Sequence, residues 1–383
     1  MKTVVAIDSF KGSLTTFEAG EAAKKGIMTV YPDAEVEVCP IADGGEGTVE
    51  AIVSQKNGEY ITVNVHGPLS DRVDAVYGYI KESATAVIEM SAASGITLVA
   101  QQERNPLNTT TYGVGEVISD AIRRGCRKFV IGIGGSATND GGIGMLSALG
   151  YRFLDSDGND VPLGAKGLEM LCSIDVSGAL KELKECTFTV ACDVKKVLCG
   201  PDGCSAVFGP QKGATPQMIA LMDSWLLNYA FLTKKVIPSA DENLPGTGAA
   251  GGMGFALTAY LGAALTPGID IVIEETSLED RIKNADVVIT GEGRLDGQSC
   301  MGKVPVGVAA IAKKHGKPVL AFCGSAARDA IECNKHGIDA FFPVVRTPCS
   351  LEEAMDSANA QKNLADTAEQ VFRLIQCFKI NEY

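Results

Sequence analysis

The chain has 383 residues, 46% hydrophobic and 21% charged, enough for a large core and more length than one α/β domain needs. A formal net charge of -13, with no block of lysine or arginine to neutralise a run of phosphates, argues against nucleic acid as a partner. The twelve cysteines lie scattered with no disulfide framework and no CxxC pair, and the closest set, Cys192, Cys199 and Cys204, lacks a nearby histidine for zinc; a reducing, cytoplasmic setting is expected.

In chain order, TVVAI (3–7) reaches Asp8 after only a short apolar run, so it reads as a first β-strand and not as a signal peptide or spanning helix. Thr15-x-x-Glu18 then marks a helix start. AEVEVCPI (34–41) is a second strand, followed by a second capping signal, Asp43-x-x-Glu46. From Glu59 to Ile96 the runs ITVNVHGPL, DAVYGYI and TAVIEM alternate in polarity and read as antiparallel strands joined by turns. KFVIGI (128–133) is a strand leading into the glycine loop GGSATNDGG, and TFTVA (187–191) leads into Cys192-Asp193. Thr215-Pro216 opens another helix.

The uncharged stretch from Asn243 to Ile269 is dominated by Gly, Ala and Thr, which suits a buried helix and not a membrane span. Thr276-x-x-Glu279 is a further capping signal. Strands ADVVIT (285–290), KPVLAF (317–322) and DAFFPVV (339–345) follow, then the helix signal Ser350-x-x-Glu353. The alternation predicts an α/β fold: a doubly wound parallel-sheet domain from residues 1–60 plus 285–383, with a mixed α/β domain, 61–284, inserted.

In open α/β sheets, ligands bind beyond the carboxyl ends of the strands, and those ends share a chemistry here. Asp8-Ser-Phe-Lys-Gly-Ser13, Ala42-Asp-Gly-Gly-Glu-Gly47, the loop with Ser136, Thr138, Asn139 and Asp140, Asp193, and Gly291-Glu-Gly-Arg-Leu-Asp-Gly297 combine glycines, hydroxyls and carboxylates. Glycine lets backbone N–H groups approach phosphate oxygens. Carboxylates without histidine or cysteine suit Mg²⁺, and Lys11, Lys212, Arg294 and Lys303 supply countercharge. The combination points to phosphoryl transfer.

Plainer readings stand beside these. Asp43 and Glu46 could be an N-cap and its capping-box partner, and Glu292 and Asp296 flank a glycine turn. Asp8 and Asp193 directly follow apolar strands, which favours function. Of the three histidines, His315 and His336 precede glycines as helix-end residues do, so a Ser-His-Asp hydrolase is disfavoured and a general base is a carboxylate. Two literal dinucleotide matches, Gly132-x-Gly134-x-x-Ala137 and Gly246-x-Gly248-x-x-Gly251, with Asp155 and Asp157 following the first, keep an NAD-dependent oxidoreductase as the alternative. The acidic Asp140 within the first turn would repel a pyrophosphate there unless a cation intervenes. No P-loop motif occurs.

Taken together, Asp8–Ser13, Ala42–Thr48, Gly134–Gly142, Cys192–Val194, Val207–Ala214, Gly248–Gly252 and Thr290–Asp296 resemble, in order and along the whole chain, the bacterial glycerate kinase family of the first type. The resemblance implies ATP-dependent, Mg²⁺-assisted phosphorylation of D-glycerate, to 2-phosphoglycerate in many members and 3-phosphoglycerate in others. It also implies a flavodoxin-like domain built from both chain ends, with a separate α/β domain inserted.

Chemistry then suggests roles. Asp193, with the Gly134-Gly135-Ser136 loop, holds Mg²⁺ and ATP phosphates, with Asp8 and Asp43 as further metal ligands. Asn139, Lys212, Glu292 and Lys303 serve the nucleotide. Lys11 neutralises a phosphate or the glycerate carboxylate, Arg294 grips a carboxylate, and Asp296 or Asp193 orients or deprotonates the acceptor hydroxyl. The chain departs from the family pattern after Asp193, where Lys195-Lys196-Val197 replaces an Asn-Pro type continuation. Whether it forms a homo-oligomer, and which hydroxyl reacts, the sequence leaves open.

Overall fold

Short β-branched runs, each ended by glycine or a polar turn, extend as strands because branched side chains pack well on a pleated surface. A computed structural model describes residues 1–379. Its strands are β1 (Lys2–Ile7), β2 (Glu35–Val38), β3 (Glu59–His66), β4 (Arg72–Ile80), β5 (Thr85–Glu89), β6 (Lys128–Gly132), β7 (Arg152–Leu154), β8 (Ser173–Asp175), β9 (Thr187–Ala191), β10 (Ala264–Thr266), β11 (Val287–Leu295), β12 (Val319–Ala326) and β13 (Ala340–Pro343). Two compact units result. The first comprises residues 1–43, 50–56 and the chain from Ile269 onward; the second comprises Gly44–Val49 and Asn57–Gly268.

The sheet of the first unit has the order β13-β12-β11-β1-β2 and is parallel throughout. Counted along this unit alone the order is 2-1-3-4-5, the flavodoxin-like arrangement, whose strand order reverses between β1 and β11. The expected doubly wound sheet from both chain ends is therefore present. Its core includes Val5, Ile7, Ile27, Phe322 and Phe372. Thr15 makes the predicted capping box with Glu18, opening the helix Thr16–Val30. That helix packs on Ser357–Lys379, and a Cβ at Gly26 would overlap the Ala365 carbonyl, so only glycine permits this approach.

The second unit is mixed, as expected. Its main sheet runs β10-β9-β6-β5-β4-β3, with β3, β4 and β5 antiparallel and β5, β6, β9 and β10 parallel. Much of β3 is exposed, which an antiparallel edge tolerates. The core centres on Tyr77, Phe129, Tyr229 and Phe255. Part of the uncharged stretch folds as the helix Ala249–Leu261, with Ala250, Gly251 and Gly252 left-handed near its start, and β10 follows; among the described residues no helix is long and apolar enough to cross a membrane.

Two capping signals are corrected. Asp43-x-x-Glu46 opens no helix: Gly44 and Gly47 have positive φ, 87° and 91°, and the helix begins at Thr48. Thr276 ends the helix Gly268–Thr276; its hydroxyl donates to the Val272 carbonyl at 2.6 Å, and the next helix, Leu278–Lys283, starts after Ser277 at φ 52°.

Candidate active site

In the first unit the site is built at the carboxyl ends of β1 and β11. The Asp8 N–H donates to the Gly291 carbonyl at 2.9 Å, holding the two strand ends together. The chain then turns tightly, Phe10 and Leu14 exchanging backbone hydrogen bonds of 2.9 and 3.0 Å, which puts Lys11 at the tip. On β11 the period of two sends Glu292 and Arg294 to the same side. A Cβ at Gly293 would lie 3.2 Å from the Phe10 Cα, so this glycine lets β11 approach the turn closely.

The result is a pocket of about 420 Å³. Asp8, Lys11, Asp43, Glu292, Arg294 and Lys303 supply its charge, and Val345, Leu351 and Met355 an apolar wall. It lies where the strand order reverses, the usual ligand position in such sheets. Lys303 immediately precedes the helix Val304–Lys314, whose free N-terminal N–H groups favour an anion.

Charge is crowded there. Burial pushes the Asp8 carboxyl up to about 8, Asp43 and Glu292 adding to the rise while Lys11 and the Ser9 N–H oppose it. Burial likewise raises Glu292, against the Ser299 hydroxyl and Lys303; that hydroxyl donates to Glu292 Oε1. Lys11 Nζ stands 3.4 Å from Asp43 Oδ2. Arg294, exposed, reaches Asp296 Oδ2 at 3.6 Å, and Asp296 Oδ1 accepts the Gln298 N–H at 2.9 Å. The buried Ser9 and Ser13 hydroxyl oxygens have no partner among the described residues.

The remaining predicted residues belong to the second unit. Gly134 and Gly135 are exposed after β6, with Gly135 at φ 71°. Lys212 is 2% exposed and donates to Ser136 Oγ at 2.8 Å and the Thr138 carbonyl at 2.5 Å; burial lowers its ammonium to about 8. Its charge is therefore spent bracing the loop from within. Asn139 is buried and donates to Ser205 Oγ at 2.9 Å.

Asp140, raised by burial, accepts the Thr111 N–H and hydroxyl at 2.8 and 2.9 Å and the Gly142 N–H at 3.1 Å, which makes it a loop anchor. Asp193 Oδ1 accepts the Gly268 N–H at 3.1 Å. Among the described residues no group of three or more His, Cys, Asp or Glu side chains could hold a metal ion as a preformed cage.

Ser299 and Glu89 went unread in the sequence. Ser299 reaches Glu292 only because the chain turns back after β11. Glu89, ending β5, accepts the Val49 N–H at 2.9 Å; burial pushes it up to about 7, opposed by the N–H groups of Val49, Gly47 and Thr48. A carboxylate at the end of a strand was its one visible signal.

The 2-1-3-4-5 sheet with a pocket of mixed charge at its reversal defines a two-unit α/β protein with a candidate ligand site in its first unit. The model of the glycerate kinase family matches residues 3–376, and the chain belongs to that family. It is 48% identical over 358 residues to a glycerate kinase of Bacillus subtilis, covering 94% of each. It is 47% identical over 372 residues to a glycerate 2-kinase of Escherichia coli K12, covering 96% of this chain and 98% of that one. A crystal structure assigned to glycerate kinase 2 of Salmonella typhimurium LT2 superposes with a TM-score of 0.89 at 48% identity, over 99% of both chains. The enzyme is thus a kinase. The literal dinucleotide match is explained by geometry: the segment after Gly132 wanders through a bridge between Gly95 and Ser136 before a helix starts at Ile143, whereas the fingerprint needs a turn that opens directly into a helix.

Proposed function

We propose that this enzyme transfers the γ-phosphoryl group of ATP to the 2-hydroxyl of D-glycerate in the cytoplasm. Family membership supports the reaction, and the name of the Escherichia coli relative supports the choice of hydroxyl. The observation that carries the assignment of the site is Asp8, a buried carboxylate raised to about 8, facing Lys11, Arg294 and Lys303 in one pocket.

A catalytic base works best with a pKa near the operating pH, and burial has moved Asp8 there. Asp296 is less suited, because one oxygen accepts the Gln298 N–H and the other faces Arg294. In this reading Arg294 grips the glycerate carboxylate with its planar fork, and Lys303 and the helix end behind it add positive charge. Asp8 takes the hydroxyl proton as the oxygen attacks phosphorus and the bond to the ADP oxygen breaks. Lys11 exchanges Asp43 for a phosphate oxygen.

The crowding of Asp8, Asp43 and Glu292 fits a divalent cation that arrives with the nucleotide, since Mg²⁺ commonly uses one or two carboxylates plus phosphate oxygens. Asp43 would hold it, and bound Mg²⁺ would neutralise charge on the phosphates. Gly134, Gly135 and Ser136 keep their assignment to nucleotide phosphates, on the chemistry of an exposed glycine backbone. Phosphorus NMR of the product from D-glycerate and Mg²⁺-ATP tests the proposal: a 2-phosphoglycerate signal is expected, a 3-phosphoglycerate signal would reassign the hydroxyl, and no phosphoglycerate would overturn the reading.

A further inference from the structure

The turn Ser299–Met301 carries Cys300 directly beside the serine that holds Glu292. The helical turn Arg328–His336 carries Cys333, and the two sulfurs stand 3.3 Å apart. A disulfide needs about 2.05 Å, so a movement of roughly 1.2 Å closes the gap. Cys333 is fully buried and Cys300 only partly so. Cys333 also points its sulfur toward the Asp296 carbonyl at 3.9 Å, so the pair ties together the backbone on both sides of the Asp296–Ser299 turn.

We propose that Cys300 and Cys333 are a peroxide-sensitive modification site, closing into a disulfide that slows the enzyme by drawing Ser299 away from Glu292. The more accessible Cys300 reacts first. Its thiolate attacks one oxygen of hydrogen peroxide, the O–O bond breaks, and the departing hydroxide takes a proton to become water, leaving a sulfenic acid. The Cys333 sulfur then attacks the Cys300 sulfur; the S–O bond breaks and hydroxide leaves with the Cys333 proton as a second water. In total two thiols lose two hydrogens while one peroxide is reduced to two waters. Burial, with Cys300 adding to it, pushes the Cys333 thiol up to about 12, so Cys333 is not the first to be oxidised. A reducing compartment keeps the pair open until peroxide appears.

The test treats the intact enzyme with hydrogen peroxide, alkylates remaining thiols, and analyses a digest by mass spectrometry beside an assay of ADP formation from glycerate and ATP. The expected result is a cross-linked peptide pair joining Cys300 to Cys333, two hydrogens lighter than its separate parts. A loss of activity of roughly tenfold or more should accompany it, since a displacement of this size at a site is that costly, and dithiothreitol should reverse both. Cys300→Ser should keep its activity through peroxide treatment, and so should Cys333→Ala. Absence of the cross-link overturns the proposal, as does a cross-link that leaves turnover unchanged or an equal loss in Cys300→Ser. The activity arm rests on the glycerate kinase reading; the peptide arm does not, so the two fail separately.

Discussion

Gly141 donates its backbone N–H to the Gly251 carbonyl at 2.9 Å, joining the two segments that each match a dinucleotide fingerprint. A Cβ at Gly251 would overlap the Thr138 carbonyl, and one at Gly252 would lie 2.8 Å from the Gly141 Cα. Ala250, Gly251 and Gly252 all take positive φ, 54°, 68° and 92°. Gly251 and Gly252 therefore serve contact with the first segment, whereas a Cβ at Gly248 would meet the Val197 carbonyl.

Gly251→Ala should destabilise the protein by about 2 kcal/mol or more, from steric overlap added to left-handed strain. Gly262→Ala is the control: it has a similar φ, 62°, but nothing within 4 Å, so strain alone should cost about 1–2 kcal/mol. Denaturant melts of both variants compare the two, and equal losses would remove the packing argument.

Asp8→Asn should lower kcat/KM by about 10²- to 10⁴-fold, the usual weight of a general base. In the wild type kcat/KM should rise with pH through an inflection near 8, the value to which burial raises Asp8. Stability should move the other way. A carboxyl whose folded pKa is raised holds its proton more tightly in the folded state, so between its ordinary value near 4 and about 8 it makes stability fall as pH rises. Asp8→Asn should therefore melt higher than wild type at pH 8.5, while the gap closes toward pH 4.

Arg294→Ala should raise the KM for glycerate by roughly 10- to 100-fold, the loss of a charge-assisted fork. Arg294→Lys should recover only part of it, because a point charge cannot reproduce two parallel hydrogen bonds. Since Arg294 is largely exposed, melting of either variant should stay near wild type. A glycerate KM unchanged in Arg294→Ala would refute the carboxylate assignment.

Lys212→Met should raise the KM for ATP by about tenfold while leaving that for glycerate within about twofold, because its ammonium positions Ser136 and Thr138 in the glycine loop. The wild-type lysine, lowered to about 8 by burial, should add stability as pH rises from about 8 to 10.5, where the unfolded chain binds the extra proton. That increment should be missing from Lys212→Met in melts across this range.

Much of this protein was legible in the residues themselves. Periodicity and β-branched runs located most strands but not the three-residue β7, β8 and β10, and Thr15, Thr215 and Ser350 marked helix starts that the structure contains, because these signals act over a few bonds. The strand ends gave part of the chemistry, since Asp8 follows an apolar run directly; Glu292, expected beside a glycine turn, lies instead within β11, which runs on to Leu295. Asp43 and Thr276 misled because a local capping pattern does not reveal how the backbone continues around Gly44 or Ser277.

What only the tertiary structure decided is which strand ends meet. The order β11-β1-β2 puts residues 8 and 292 in one pocket, while Asp193 and the Gly134 loop fall in the other unit. Burial also turned Lys212 inward and lifted Asp8 far above an ordinary carboxyl. The reason is physical: sequence spacing fixes local geometry, but desolvation and the pairing of distant charges depend on atoms the chain brings together only when the sheet closes.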